Sequence, residues 1–202
     1  MTNMNTLELF SGTNQSFSRV AKDFGCNCTT LDLMAEADFK TDILDWDYKQ
    51  FPQGHFKLIW CSPPCNTFSI IRRSWIGRKI KFFGDVIVTK KMLDDDMNDR
   101  GVSILRKTQE ILDYFQPEIW FIENPSTGKM KNYMDDLPYY DVDYCQYGFG
   151  YKKPTRIWTN LQDFIPLRCC HKKHEKTISD CSLKERYSIP KPLINSLLQC
   201  VF

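Results

Sequence analysis

The chain has 202 residues, a formal net charge of +2, 42% hydrophobic and 26% charged residues. This composition excludes a disordered, collagen-like or coiled-coil protein, and the length suits one domain with at most a small appendage. No apolar run approaches the ~20 residues of a membrane span, and the polar start Met1–Asn5 has no signal-peptide core. In chain order, Thr6–Phe10 is a short apolar run that enters a turn at Ser11-Gly12 and reads as a buried strand. Gln15–Phe24 has helical spacing, with Phe17, Val20, Ala21 and Phe24 on one side and Gly25 where a C-cap glycine belongs. Thr29–Leu33 is a second strand. Phe56–Cys61 is a third, stopped by Ser62-Pro63-Pro64. Within the long stretch 70–100, Lys79–Val88 predicts a hairpin around Gly84-Asp85. Long segments of this kind are usually mobile and often functional. Gly101–Phe115 is an amphipathic helix with Ile104, Leu105, Ile111, Leu112 and Phe115 on its apolar side. Glu118–Ile122 is another buried strand, stopped by Asn124-Pro125. Asp141–Gln146 and Arg156–Thr159 read as later, antiparallel strands. Strands alternating with helices predict an α/β fold: a doubly wound, mostly parallel sheet with helices on both faces.

Ligands in such sheets bind beyond the carboxyl ends of the strands. Three strand ends carry chemistry: Gly12, Pro63-Pro64-Cys65 and Glu123-Asn124-Pro125. The topology brings them to one rim. Two prolines stiffen the turn that presents Cys65, and a catalytic thiol needs a held position. A packed structural thiol is the alternative. A partly desolvated Glu123 could serve as a proton donor; alternatively it caps the following turn. Arg72, Arg73, Arg78, Lys79 and Lys81 cluster, as do Lys152, Lys153 and Arg156, and Lys172 and Lys173. Such groups suit either a phosphate backbone or a solvated surface, and Asp94, Asp95 and Asp96 end the first basic stretch. Nine cysteines without a signal peptide argue against a disulfide framework and for a reducing compartment.

Taken together the segments resemble the DNA (cytosine-5) methyltransferase family. Pro63–Ser69 (PPCNTFS) is similar to its Pro-Cys-x-x-Phe-Ser motif, and Phe121–Pro125 (FIENP) to its Glu-Asn-Val/Pro motif. Leu7–Thr13 (LELFSGT) resembles its cofactor-binding Phe-x-Gly-x-Gly motif. Thr30–Leu33 and Thr41–Leu44 look like the acids that follow. Thr155–Asn160 is similar to the end of its Gln-x-Arg-x-Arg motif, and Ile189–Leu198 to the tail of its last. Each match is weak alone, but the order is the family's own. The resemblance implies a Rossmann-like, S-adenosylmethionine-dependent enzyme that flips a cytosine out of duplex DNA. It implies Cys65 as the nucleophile at C6, Glu123 at the N3 side and Arg156 at the cytosine O2. On the cofactor side it implies Phe10, Ser11, Gly12, Thr13 and Pro63, with Asp32 at the ribose and Asp42 and Ile43 at the adenine. Ser69, Arg72, Arg73, Lys152 and Lys153 are the candidates for DNA contacts.

The departures are also specific. Asn14 replaces the second glycine of the first motif and would have to tolerate a left-handed turn. Pro154 stands where the earlier arginine belongs, Lys152 where the glutamine belongs, and Arg186-Tyr187-Ser188 where the last motif has Gly-Asn. Only residues 161–188 lie where the family inserts a target-recognition domain, too few for a separate core. The division expected is a catalytic domain at 1–160, with 70–100 as its DNA-contacting loop, the short segment 161–188, and a return at 189–202. The chain thus resembles the compact versions carried by some large DNA viruses and phages, acting as a monomer on a short target such as CpG, in the cytoplasm or the nucleus of an infected host. The short segment carries Cys169, Cys170, His171, His174 and Cys181. A zinc ion on a subset of these would staple a segment without a core; incidental thiols on a basic loop are the alternative. Two other activities fit the same motifs: a tRNA cytosine-5 methyltransferase, which the lack of Cys-Phe-Thr disfavours, and a DNA-binding protein that has lost turnover.

Overall fold

Short apolar runs bounded by turn residues become the strands of one sheet in the computed structural model, which describes residues 4–202. The first three residues of the polar start lie outside it. Strands β1 (Asn5–Leu9), β2 (Asn27–Asp32), β3 (Phe39–Lys40), β4 (Leu58–Cys61), β7 (Ile119–Pro125), β8 (Tyr139–Asp143) and β9 (Pro154–Thr159) assemble in the order β3-β2-β1-β4-β7-β9-β8. The pairs from β3 through to β7 are parallel. β7–β9 and β8–β9 are antiparallel, as expected for the two late strands. Between β4 and β7 in sequence lie β5 (Lys79–Ile80) and β6 (Val86–Ile87), the small antiparallel hairpin expected around Gly84-Asp85.

Four residues of β4, Leu58, Ile59, Trp60 and Cys61, are all buried. A central parallel strand is covered on both faces, so its sequence is continuously apolar, with alternate side chains feeding opposite cores. Leu58 and Trp60 join Phe121 under helices α1 (Ser16–Asp23) and α5 (Lys191–Gln199), with Phe17, Val20, Leu193 and Leu197. Ile59 and Cys61 join Ile122 and Trp158 under α3 (Ser103–Phe115), with Leu105, Ile111 and Phe115. Helices therefore cover both faces, the doubly wound, Rossmann-like class I methyltransferase fold that the sequence predicts. Gly25, at φ 80°, ends α1 as a C-cap glycine should.

Two stretches differ from the sequence reading. The strand expected over Asp141–Gln146 is shifted to Tyr139–Asp143, and Tyr144–Tyr147 forms a 3-10 turn closed by Gly148 at φ 96°. The stretch 70–100 is tied down. It holds a 3-10 turn at Ile70–Trp75, the hairpin, and helix α2 (Lys90–Asp96), which a π-helical turn over Met97–Val102 joins to α3. The Asp cluster explains the order. Asp96 pairs with Arg72 at 2.6 Å and Arg100 at 2.7 Å, Asp95 with Lys91, and Asp94 with Lys129. The last short helix, α4 (Leu183–Arg186), lies in the segment 161–188 and is capped by a Ser182–Glu185 capping box. No helix among the described residues is long and apolar enough to cross a membrane.

Candidate active site

The sheet reverses its winding between β1 and β4, and the strand ends on either side of that point carry both halves of the site. After β1 the chain turns through three left-handed residues, Phe10 (φ 62°), Gly12 (φ 57°) and Gln15 (φ 44°). Gly12 is the position where glycine's freedom matters, and a Cβ there would meet nothing within 4 Å. Asp32 organises the turn. One oxygen accepts from the Gly12 amide at 2.8 Å, the other from the Met34 and Ala35 amides at 2.8 and 2.7 Å. Ser11 is buried, yet its hydroxyl has no partner among the described residues. Thr13 is exposed, as are Leu33 and Met34 beside Asp32. Asp42 caps its own loop through the Leu44 amide at 2.9 Å, and Ile43 is buried behind it. Asn14 does not take the left-handed position. Its side chain donates to the Lys184 carbonyl at 2.9 Å and lies 3.0 Å from the Ser188 hydroxyl, so it ties the turn to the 161–188 segment.

A residue overlooked in the sequence supports this turn from below. Glu8, in the middle of β1, is buried and accepts from the Phe17 and Ser18 amides at 3.1 and 3.0 Å and from the Ser18 hydroxyl. Burial pushes its carboxyl above the usual range, and the Ser18 bonds oppose that. A carboxylate inside an apolar run must find donors, and free amides at a helix N-terminus supply them. That was the available signal.

The second half of the rim is built from the loop after β4. Pro63 is buried, and its carbonyl accepts from Asn124 Nδ2 at 2.8 Å. Phe68 is buried and its carbonyl accepts from the Lys129 amide at 2.9 Å. Gly101 packs against the same loop; a Cβ there would stand 2.4 Å from Thr67 Oγ1. The loop is therefore clamped on both sides of Cys65, which is partly buried. Burial raises the Cys65 thiol above its usual range, the Glu123 charge adds to that, and the Lys153 charge opposes it. Glu123 is buried, and its Oε1 accepts from Tyr144 Oη at 2.8 Å. The Tyr144 hydroxyl is held far above its usual range, by burial first and then by Glu123, so it remains a donor. Lys153 Nζ lies 3.9 Å from Glu123 Oε1, donates to the Arg186 carbonyl at 2.9 Å and sits over the Tyr144 ring.

The register between β7 and β9 places Glu123 opposite Ile157 and Asn124 opposite Arg156. Side chains alternate along a strand, so Thr155 and Ile157 share the face of Glu123, and Arg156 points to the other. There it forms a two-pronged pair with Asp141 at 2.8 and 2.9 Å and stacks on the Tyr139 ring. The expectation that Arg156 joins Cys65 and Glu123 is corrected: the cation beside Glu123 is Lys153. Lys153 had been expected on a phosphate backbone, and burial removes it from such contact. Arg72 is corrected in the same way, since its side chain is 7% exposed and paired with Asp96. Lys152 and Arg73 are exposed, and Ser69 caps the following turn through the Ile71 amide at 3.4 Å.

The cysteine and histidine residues of 161–188 do not form one group. Cys170 and His171 are exposed, while Cys181 is buried with its thiol 3.5 Å from the Thr177 carbonyl. Cys169 and His174 do meet, Sγ to Nε2 at 3.2 Å, and the third thiol beside them is Cys145, from the turn after β8. All nine cysteines are free thiols.

No protein-family model matches the chain. A protein of Frog virus 3 (isolate Goorha), described as "Probable DNA (cytosine-5)-methyltransferase", is 42% identical over 172 residues, covering 84% of this chain and 77% of that protein. The crystal structure of the S. pombe Dnmt2 methyltransferase is similar at 16% identity with a TM-score of 0.46; the match covers 88% of this chain and 54% of the other, so the chain spans about half of that protein's length. The identity to the viral protein over most of both chains shows that this chain belongs to the DNA (cytosine-5)-methyltransferase family.

Proposed function

We propose that the chain transfers a methyl group from S-adenosylmethionine to C5 of a cytosine flipped out of duplex DNA, through a covalent bond to Cys65. The observation that carries this is the convergence of a held thiol, a buried carboxylate and a buried ammonium, Cys65, Glu123 and Lys153, at one rim of the sheet. The turn beside them fits the methyl donor: the Ser11 hydroxyl lacks a partner, the space over Gly12 is open, and apolar Leu33 and Met34 lie exposed beside Asp32. Phe10–Thr13 and Pro63 would hold its methionine part, Asp32 the ribose, and Asp42 with Ile43 the adenine. S-adenosylmethionine held there supplies an electrophilic methyl group.

The residues of the chain do the rest. Cys65, as the thiolate, bonds to C6 of the ring. Glu123 keeps Oε1 on Tyr144, while no described residue engages Oε2; as the carboxylic acid it donates its proton from Oε2 to N3, so the ring can accept the electron pair from sulfur, and it takes that proton back when the C6–S bond breaks. Lys153 favours the Cys65 thiolate and would face the cytosine O2, the role the resemblance implied for Arg156. C5 then takes the methyl group, its proton passes to solvent as the C6–S bond breaks, and the Cys65 thiolate is returned. Exposed Arg73 and Lys152 are the remaining candidates for phosphate contacts. Duplex DNA is the partner, met by a monomer in a reducing compartment, the cytoplasm or an infected host's nucleus.

The test is methyl incorporation from labelled S-adenosylmethionine into unmethylated duplex DNA, with Cys65→Ala as control and bisulfite sequencing of the product. Incorporation lost in Cys65→Ala supports the mechanism and yields the target site. Incorporation that survives the substitution overturns it in favour of amine methylation. Incorporation into tRNA alone replaces the substrate, and DNA binding without any transfer leaves a binding protein.

A further inference from the structure

Three donors from two separate parts of the chain meet beside the site without taking part in its chemistry. Cys145 comes from the turn that follows β8, one residue after Tyr144. Cys169 and His174 come from the segment 161–188. Their ligand atoms all lie within 4.8 Å of one another, and each side chain is half-buried. A tetrahedral zinc ion with ordinary Zn–S and Zn–N bonds sets its ligand atoms about 3.5–3.8 Å apart. Cys169 Sγ and His174 Nε2 already stand at 3.2 Å, so the group needs only a small movement to close on an ion.

We propose that Cys145, Cys169 and His174 bind a structural zinc ion, which fastens the 161–188 segment to the catalytic rim. Two thiolates and an imidazole are a donor set that suits zinc. Exposed His171 lies on the solvent side, its ring 6.2 Å from that of His174, and it or a water completes the coordination. This set keeps Cys169 and His174 from the group expected in the sequence, adds Cys145, and leaves out Cys170 and Cys181.

The segment has reason to need the ion. Beyond the short turn at Ile178–Asp180 and helix α4, residues 161–188 have no regular structure. Leu161 and Phe164 anchor its start in the core; beyond them the segment is held by polar contacts to the rim: Lys153 to the Arg186 carbonyl, Tyr151 to the Glu185 carbonyl at 2.8 Å, and Asn14 to the Lys184 carbonyl. Arg168 and the Cys169 amide add contacts to Asp143 at 3.1 and 2.9 Å. These place Cys169 against Cys145 before any ion arrives. A metal that crosslinks a segment with so few core residues contributes directly to its folding. The inference stands whether or not the chain transfers methyl groups.

The experiment is elemental analysis of untagged protein, purified under reduction without chelator and dialysed against zinc and then metal-free buffer. About one zinc per chain is expected for a single closed site. Cys145→Ser and Cys169→Ser should each lose it, while Cys170→Ser and Cys200→Ser keep it. Cobalt loading of the unmutated protein is a second readout, expected to give the absorption of a tetrahedral thiolate site even where a variant fails to fold. Zinc-free unmutated protein overturns the proposal, as does zinc that survives both the Cys145 and Cys169 substitutions, or a Cys145–Cys169 disulfide in protein made under reduction.

Discussion

The rim at the ends of β4 and β7 and the segment 161–188 face the same site but are held there by different means. The rim is an extension of the sheet. Cys65 follows a strand whose four residues are buried, Glu123 lies inside a strand paired on both sides, and Asn124 fastens one to the other. The segment reaches the site through side chains bonded to carbonyls, Lys153 and Asn14 chief among them. Position is therefore enforced at the rim by packing and ladder hydrogen bonds, and in the segment beyond its buried Leu161 and Phe164 by individually replaceable polar contacts. Substitutions at the rim should remove chemistry or stability outright; those at the seam with the segment should tune it.

The largest effect is expected for Cys65→Ala, which should lower methyl transfer by more than about 1000-fold in a radiolabel assay, with DNA binding retained. Glu123→Gln should follow, losing roughly 100- to 10,000-fold in kcat while leaving the fold intact by circular dichroism. At the seam, Lys153→Met should cost about 10- to 100-fold in kcat/KM, and Lys153→Arg should recover part of it. The pH profile sharpens that assignment. The Cys65 thiol is raised by burial, and the thiolate is the reactive form, so the rate should climb as pH rises through neutrality. Lys153 opposes the raised value, so its removal should push the climb to still higher pH. Arg156→Met, which breaks the pair with Asp141 on the opposite face, should leave the pH profile in place. A profile that moves with Arg156 and not with Lys153 would invert the comparison. Gly101→Ala tests the clamp: its Cβ would collide with Thr67, and about 1–3 kcal/mol should be lost in denaturant unfolding. The smallest effect belongs to Asn14→Ala, which removes contacts at a partly exposed site and should cost about 1 kcal/mol or less in the same measurement.

The parts legible in the sequence were those dictated by local pattern. β1, β4 and β7 are visible because strands covered on both faces read as apolar runs stopped by turn residues. Cys65 and Glu123 are visible because they sit immediately at those stops. What was not legible depends on pairing between distant segments. Arg156 and Lys153 lie three residues apart on the same arm, and only the register of β9 against β7 decides which faces Glu123. Arg72 reads as surface charge until Asp96, far along the chain, is folded against it. Cys145 could not be grouped with Cys169 and His174 because the grouping depends on where the turn after β8 comes to rest. The strand expected over Asp141–Gln146 is in place only to Asp143; Tyr144, at the start of the following turn, donates to Glu123, a contact between distant segments.

The proposed reaction passes through a covalent bond between Cys65 and a flipped cytosine, and a duplex carrying 5-fluorocytosine tests it directly. Fluorine at C5 cannot leave as a proton does, so an enzyme that uses Cys65 as proposed should stay attached to the DNA in the presence of S-adenosylmethionine. The expected result is a denaturation-resistant protein–DNA adduct, absent with Cys65→Ala and absent without the methyl donor. Methyl transfer to ordinary duplex with no such adduct on the fluorinated one would contradict it.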